Sequence, residues 1–160
     1  MKLLLIPFLL SLLTINSENQ TSNAMSEKNK QIVKDLYGKF HSKGDVDAWN
    51  KLISDDYVDH SMPNPQLPGN KEGLKMAVLG VRGAFPDVST EIPHIIAEGN
   101  FVSVRVIATG THKGEFANVP ATNKEITWEE QHLYRLDDGQ IVEHWGVFDM
   151  MSMMQQLGAF

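Results

Sequence analysis

Past Pro86 the apolar residues change their spacing from every third or fourth residue to every second, and this switch constrains the fold more than any other feature. Before it, Ile32, Val33, Leu36, Tyr37 and Phe40 predict a helix opening at Ser26 and ending at Lys43-Gly44. Asp45 starts a shorter helix carrying Val46, Trp49, Leu52 and Ile53. Asp56-Tyr57-Val58-Asp59-His60 leads into Ser61–Gly69, a loop with three prolines. A third helix, about Asn70 to Phe85, turns Leu74, Ala77, Val78, Val81 and Phe85 inward. After Pro86, Val88–Glu98 and Phe101–Thr111 read as strands joined by Gly99-Asn100. Glu125–Leu136 and Ile141–Phe148 read as a second hairpin turning at Asp137-Asp138-Gly139, and Asp149–Leu157 as a short Met-rich helix. Helices followed by a strand meander predict an α+β domain, with three N-terminal helices packed on a strongly curved antiparallel sheet. Such a sheet forms a cone whose open end is an internal pocket.

Length and charge narrow the classes. With 160 residues there is room for one ordinary domain. A net charge of −6 and the lack of any Lys/Arg cluster argue against a nucleic-acid partner. Without cysteine there are no disulfides, zinc-thiolate sites, thiol nucleophiles or lipidated bacterial N-terminus. Lys2, the apolar run Leu3–Leu13 and the exit Ser22-Asn23-Ala24 have the order of a secretory signal. The run falls short of the roughly 20 residues that span a bilayer, so no stable membrane anchor is expected. Residues 1–24 are set aside as a signal peptide or disordered leader and 25–160 as a single domain. The mature protein is then periplasmic or secreted, or cytoplasmic if Met25 is the true start.

Alternation assigns faces on the second hairpin. Trp128, Glu130, His132 and Tyr134 share one side of their strand, and His144, Gly146 and Phe148 share a side of the next. A carboxylate buried in an apolar cone would have a raised pKa and shuttle protons, and a neighbouring imidazole would donate to an oxyanion or take the proton itself. Glu130 and His132 are therefore the candidate catalytic pair; the alternative is an internally satisfied hydrogen bond without chemistry. His144, placed roughly across from His132, is a candidate ligand contact, as are Asp59 and His60 beside the proline-rich loop. Trp128, Tyr134 and Phe148 either line the pocket or are plain core. Two histidines and a glutamate raise the question of a divalent metal, but strand histidines often only hydrogen-bond, and no metal is expected. Asp149 reads as a helix cap, and His41, His94 and His112 as surface or turn residues.

The segment Glu130–Trp145, with Gln155-Gln156-Leu157-Gly158 after it and Asp56–His60 and Phe85-Pro86-Asp87 before it, resembles the SnoaL-like polyketide cyclases and the related ester cyclases. The ordered set covers most of residues 27–158. The resemblance implies the cone of nuclear transport factor 2 and ketosteroid isomerase, assembled as a homodimer or higher oligomer. It also implies cofactor-independent ring closure on a small apolar or carbonyl-bearing molecule, by removal of a proton next to a carbonyl. The family's pocket histidine matches His132. Its acid/base aspartate, two residues beyond the position of His144, is replaced by Gly146. Two functions are therefore carried forward: a SnoaL-like enzyme using Glu130 or His132 in place of that aspartate, and a ligand-binding module that has lost its base and gained cavity space.

Overall fold

The computed structural model describes residues 6–62 and 64–160, with side chains from Gln20 onward. Lys2 and the start of the apolar run, with Pro63, lie outside the described residues. Helix α1 spans Ile6–Asp35 and so begins well before Ser26. It runs into a π-helical turn, Leu36–His41, that buries Leu36, Tyr37 and Phe40. Gly44, at φ +72, accepts the left-handed bend that ends this segment. The Asp45 carboxylate accepts the Ala48 amide at 3.0 Å and opens α2, Val46–Leu52. Asn70 does the same for α3, Lys71–Ala84, through the Gly73 amide. Asp149 caps α4, Met150–Leu157, as its sequence position suggested. No described helix is long and apolar enough to cross a membrane.

Five strands form one sheet: β1 Ile53–Asp59, β2 Ser89–Glu98, β3 Phe101–Thr111, β4 Glu125–Asp137 and β5 Gln140–Phe148, in the order β1-β5-β4-β3-β2. The β2–β5 meander is antiparallel, as expected. The expectation of a wholly antiparallel sheet is corrected by β1, which the sequence suggested was only a lead-in to a loop and which pairs parallel with β5. Ile53 and Tyr57 are the buried side chains that hold β1 in place, while Ser54, Asp55 and Asp56 break the apolar alternation that would have marked it. In the hairpin His144 stands opposite Tyr134 and His132 opposite Gly146, so the two histidines are diagonal neighbours, roughly across from each other as expected.

Alternation does set the faces. Val102, Val104, Val106 and Ala108 of β3 are buried, as are Ile126, Trp128, His132, Tyr134 and Leu136 of β4. One core packs Val33, Leu36, Tyr37, Phe40 and Trp49 from the helices onto β3 and β4. Each such side chain contributes roughly 1.5–3 kcal/mol through burial. A second core joins Phe85 and Trp128 to Met153 and Leu157, with Met150 and Met154 packed against it, so three of the four methionines of this helix pack while Met151 stays exposed.

Candidate active site

Between α3 and the inner sheet face lies a partly open cavity of about 80 Å3. Leu74, Ala77, Val78 and Val81 of α3 form one wall, and Val88, Ala108, Trp128 and Phe148 the other. Its polar lining is Glu130, His132, Tyr134, His144 and Asp59, with His41, Arg82 and Thr90. Seven of the eight site residues expected from the sequence and its resemblance line this cavity: Glu130, His132, His144, Asp59, Trp128, Tyr134 and Phe148. His60 is the exception. It stacks on Trp145 at 4.5 Å and pairs with Glu143 at 2.8 Å, away from the cavity.

Four of the lining side chains make one unbroken chain of hydrogen bonds. Asp59 Oδ2 contacts His144 Nδ1 at 3.0 Å, His144 Nε2 contacts His132 Nδ1 at 2.8 Å, and His132 Nε2 contacts Glu130 Oε2 at 2.9 Å. Both carboxylates are held from behind. The Trp128 indole donates to Glu130 Oε1 at 2.7 Å, while Tyr57 and the Ser61 amide donate to Asp59. The fold explains the join: β1 lies beside β5 with Asp59 in register with His144. Beneath the chain, the Tyr37 and Tyr134 hydroxyls share a buried hydrogen bond of 2.7 Å, and burial pushes both phenols up.

Gly146 is where this arrangement is made possible. A Cβ there would lie 2.7 Å from His132 Nδ1 and 2.8 Å from His144 Nε2, the two atoms that bond to each other. The space that a side chain at this position would take is occupied by the inter-ring hydrogen bond. Loss of the side chain therefore does not enlarge the cavity, which corrects one motive for the binding-module reading.

The electrostatics also differ from expectation. Burial acts to raise the Glu130 carboxyl, but the hydrogen bond and charge of His132 and the Trp128 indole outweigh it, and the group is held below the usual range rather than above it. Asp59 follows the same logic, with burial opposed by His144, the Ser61 amide and Tyr57. Burial lowers His144 despite its contact with Asp59. Among the described residues no group of three His, Asp or Glu side chains is arranged to hold a metal.

His41 and His112, read from the sequence as surface or turn residues, are placed otherwise: His112 packs inside and His41 faces the cavity. His112 is fully buried against Phe85, whereas His94 is exposed as expected. His41 lines the cavity with a buried Nε2 that has no hydrogen-bond partner. Its signal was available: His41 lies four residues after Tyr37 and so shares its helix face. Arg82 fixes this turn by donating to the carbonyls of His41 at 2.9 Å and Ser42 at 2.6 Å.

Burial depresses His41 from 6.5 to about 4. Between those values the unfolded chain takes up a proton that the folded chain refuses, so stability falls as pH drops through that window. Glu130 and Asp59, also held low in the fold, lose their contribution in the same direction at lower pH. The urea midpoint is thus expected to be lower at pH 4.5 than at pH 7; an equal or higher midpoint would contradict the assigned burial.

Comparison with known proteins agrees with the geometry. The family model for SnoaL-like polyketide cyclases matches residues 31–157. The chain is 30% identical over 125 residues to aklanonic acid methyl ester cyclase DnrD of Streptomyces peucetius, covering 71% of this chain and 85% of that protein. It is 26% identical over 116 residues to nogalonic acid methyl ester cyclase of Streptomyces nogalater, covering 72% and 87%. In structure it is similar to AclR of Streptomyces galilaeus, a proposed hydroxylase, with TM-score 0.75, 29% identity and coverage of 84% and 98%. With its helices packed on a five-stranded mixed sheet and this match over most of its length, the chain belongs to the SnoaL-like polyketide cyclase family.

Proposed function

We propose that the protein is a cofactor-independent cyclase-type enzyme that removes a proton next to a carbonyl in a small ester- or ketone-bearing substrate. One observation carries this reading: the Asp59–His144–His132–Glu130 chain opens onto an apolar cavity beside Gly146, the position to which the resemblance assigns the family's aspartate. Glu130 is the base and His132 its immediate partner, with Tyr134, Trp128 and Phe148 shaping the floor around them. Asp59 and His144 contact the pocket from the opposite end. The cavity accommodates the reacting end of a ligand, and the remainder extends toward the opening. The related cyclases act on aklanonic and nogalonic acid methyl esters, so these two compounds and simple β-keto esters are the first substrates to assay. Product that differs from the input by ring closure supports the reading, whereas a bound compound recovered unchanged from every assay favours the binding-module alternative.

The outer sheet face supports a homodimer. Ile96, Phe101, Leu133 and Val147 are exposed large apolar side chains, and Trp145 lies among them against Phe101. Val147→Arg is expected to convert a dimer into a monomer by light scattering; a wild-type chain that is monomeric at micromolar concentration would refute this interface. Export through the leader is proposed on its charge and length pattern, and mass determination of the N-terminus of protein recovered outside the cytoplasm tests it.

A further inference from the structure

The hydrogen-bond chain imposes a proton count. If both carboxylates are ionised, Asp59 requires a proton on His144 Nδ1 and Glu130 requires one on His132 Nε2. With both rings neutral, His144 Nε2 and His132 Nδ1 would then face each other as bare lone pairs at 2.8 Å. Two acceptors at that separation repel, and both atoms are buried, so no solvent intervenes. The geometry is satisfied only when three protons serve the three hydrogen bonds.

We infer that Asp59, His144, His132 and Glu130 act as one relay holding a single mobile proton, with Asp59 as the far terminus that sets whether Glu130 is a base or an acid. At rest the mobile proton lies between the rings, so that His144 donates to Asp59, His132 donates to Glu130 and both carboxylates are ionised; moved to Asp59, it leaves each ring with its proton on Nε2 and Glu130 still a carboxylate. When three protons each cross one hydrogen bond toward Glu130, Asp59 becomes the carboxylate, each ring carries its proton on Nδ1, and Glu130 becomes a carboxylic acid. No hydrogen bond is broken in any of these states, and the unit keeps a net charge of −1. In a ring closure, Glu130 takes the proton released from the carbon acid and one proton returns to the new oxyanion, so the relay ends with the three protons it began with. Tyr37 and His41 on the π-helical turn, Tyr57 on β1, Tyr134 on β4 and Arg82 on α3 are the other ionisable groups near the relay. The three tyrosines are pushed up and His41 down, so none of these four exchanges protons with the relay near neutral pH. Asp59 and His144 are thus positioning residues for a reaction carried out at Glu130.

This inference rests on the proposed acid/base role of Glu130, but its test does not require a substrate. In the full chain labelled with nitrogen-15 at histidine, spectra at pH 7 are expected to show a proton between His132 Nδ1 and His144 Nε2, with scalar coupling between those nitrogens. Finding both nitrogens unprotonated overturns the relay. Asp59→Asn supplies an amide donor to His144 Nδ1, so the proton on that nitrogen is expected to disappear and His144 to become fixed as the Nε2–H tautomer. Turnover of aklanonic acid methyl ester, if present in the wild type, is expected to fall at least tenfold in Asp59→Asn, with a changed pH profile and little change in KM. An unchanged tautomer and pH profile in a folded variant contradict the assignment. A bridging proton without any turnover sustains the relay and removes the enzyme reading, whereas turnover without the bridging proton does the reverse.

Discussion

Glu130→Gln is expected to lower turnover by roughly 100- to 10,000-fold while leaving the fold intact, the range associated with loss of a general acid or base. The substitution is isosteric, and the amide oxygen still accepts from the Trp128 indole that now bonds Glu130 at 2.7 Å. What is lost is the ability to accept a proton, and the amide becomes a donor to His132 Nε2, the atom that now faces the carboxylate. The informative control is Glu129→Gln. Glu129 is the neighbouring residue on the opposite sheet face, ion-paired with Arg105, and its change should leave turnover near wild type. Thermal melting of the Glu130 variant within a few degrees of wild type separates a chemical defect from an unfolded one. Normal turnover by Glu130→Gln would move the chemistry to another group.

Gly146→Ala is the second large effect, and it acts on stability. The backbone of β5 accepts any residue at this point, so the penalty comes entirely from the added methyl group. That methyl would stand 2.7 and 2.8 Å from nitrogens of two buried rings, which cannot swing to solvent without opening the core beneath Tyr37 and Tyr134. Overpacking of this kind costs about 1–3 kcal/mol, and breaking the inter-ring hydrogen bond adds about 1–3 kcal/mol. A drop in melting temperature on the order of 10 °C is expected for a domain of this size. A variant that melts with the wild type would show that the rings do not meet over Gly146.

The sequence made the sheet meander legible because alternation in β3 and β4 is nearly uninterrupted, and the same parity put Glu130 and His132 on one face. It left β1 hidden for a physical reason. Ile53 and Tyr57 are anchored by a parallel partner far along the chain, and the three residues after Ile53 are polar. Missing β1 meant missing the join between Asp59 and His144, which depends on strand register and not on local pattern. His60, one residue further on, was grouped with Asp59 by proximity although the chain has turned it onto the outer surface beside Trp145. Gly146 taught the opposite lesson. In the sequence it marks the absence of an aspartate, whereas in the fold it provides the space in which two imidazoles meet. The depressed Glu130 pKa has a similar origin, because burial alone raises a carboxyl and only the partners revealed by the fold reverse the sign.

The most direct measurement is deuterium uptake from D2O at the carbon next to the carbonyl of aklanonic acid methyl ester, followed by mass spectrometry with wild type and with Glu130→Gln. Exchange or ring closure by the wild type well above the buffer rate, reduced at least 100-fold in Glu130→Gln, is the expected result for a base at Glu130. Exchange no faster than buffer across the ester substrates, or equal rates for the two proteins, would contradict it.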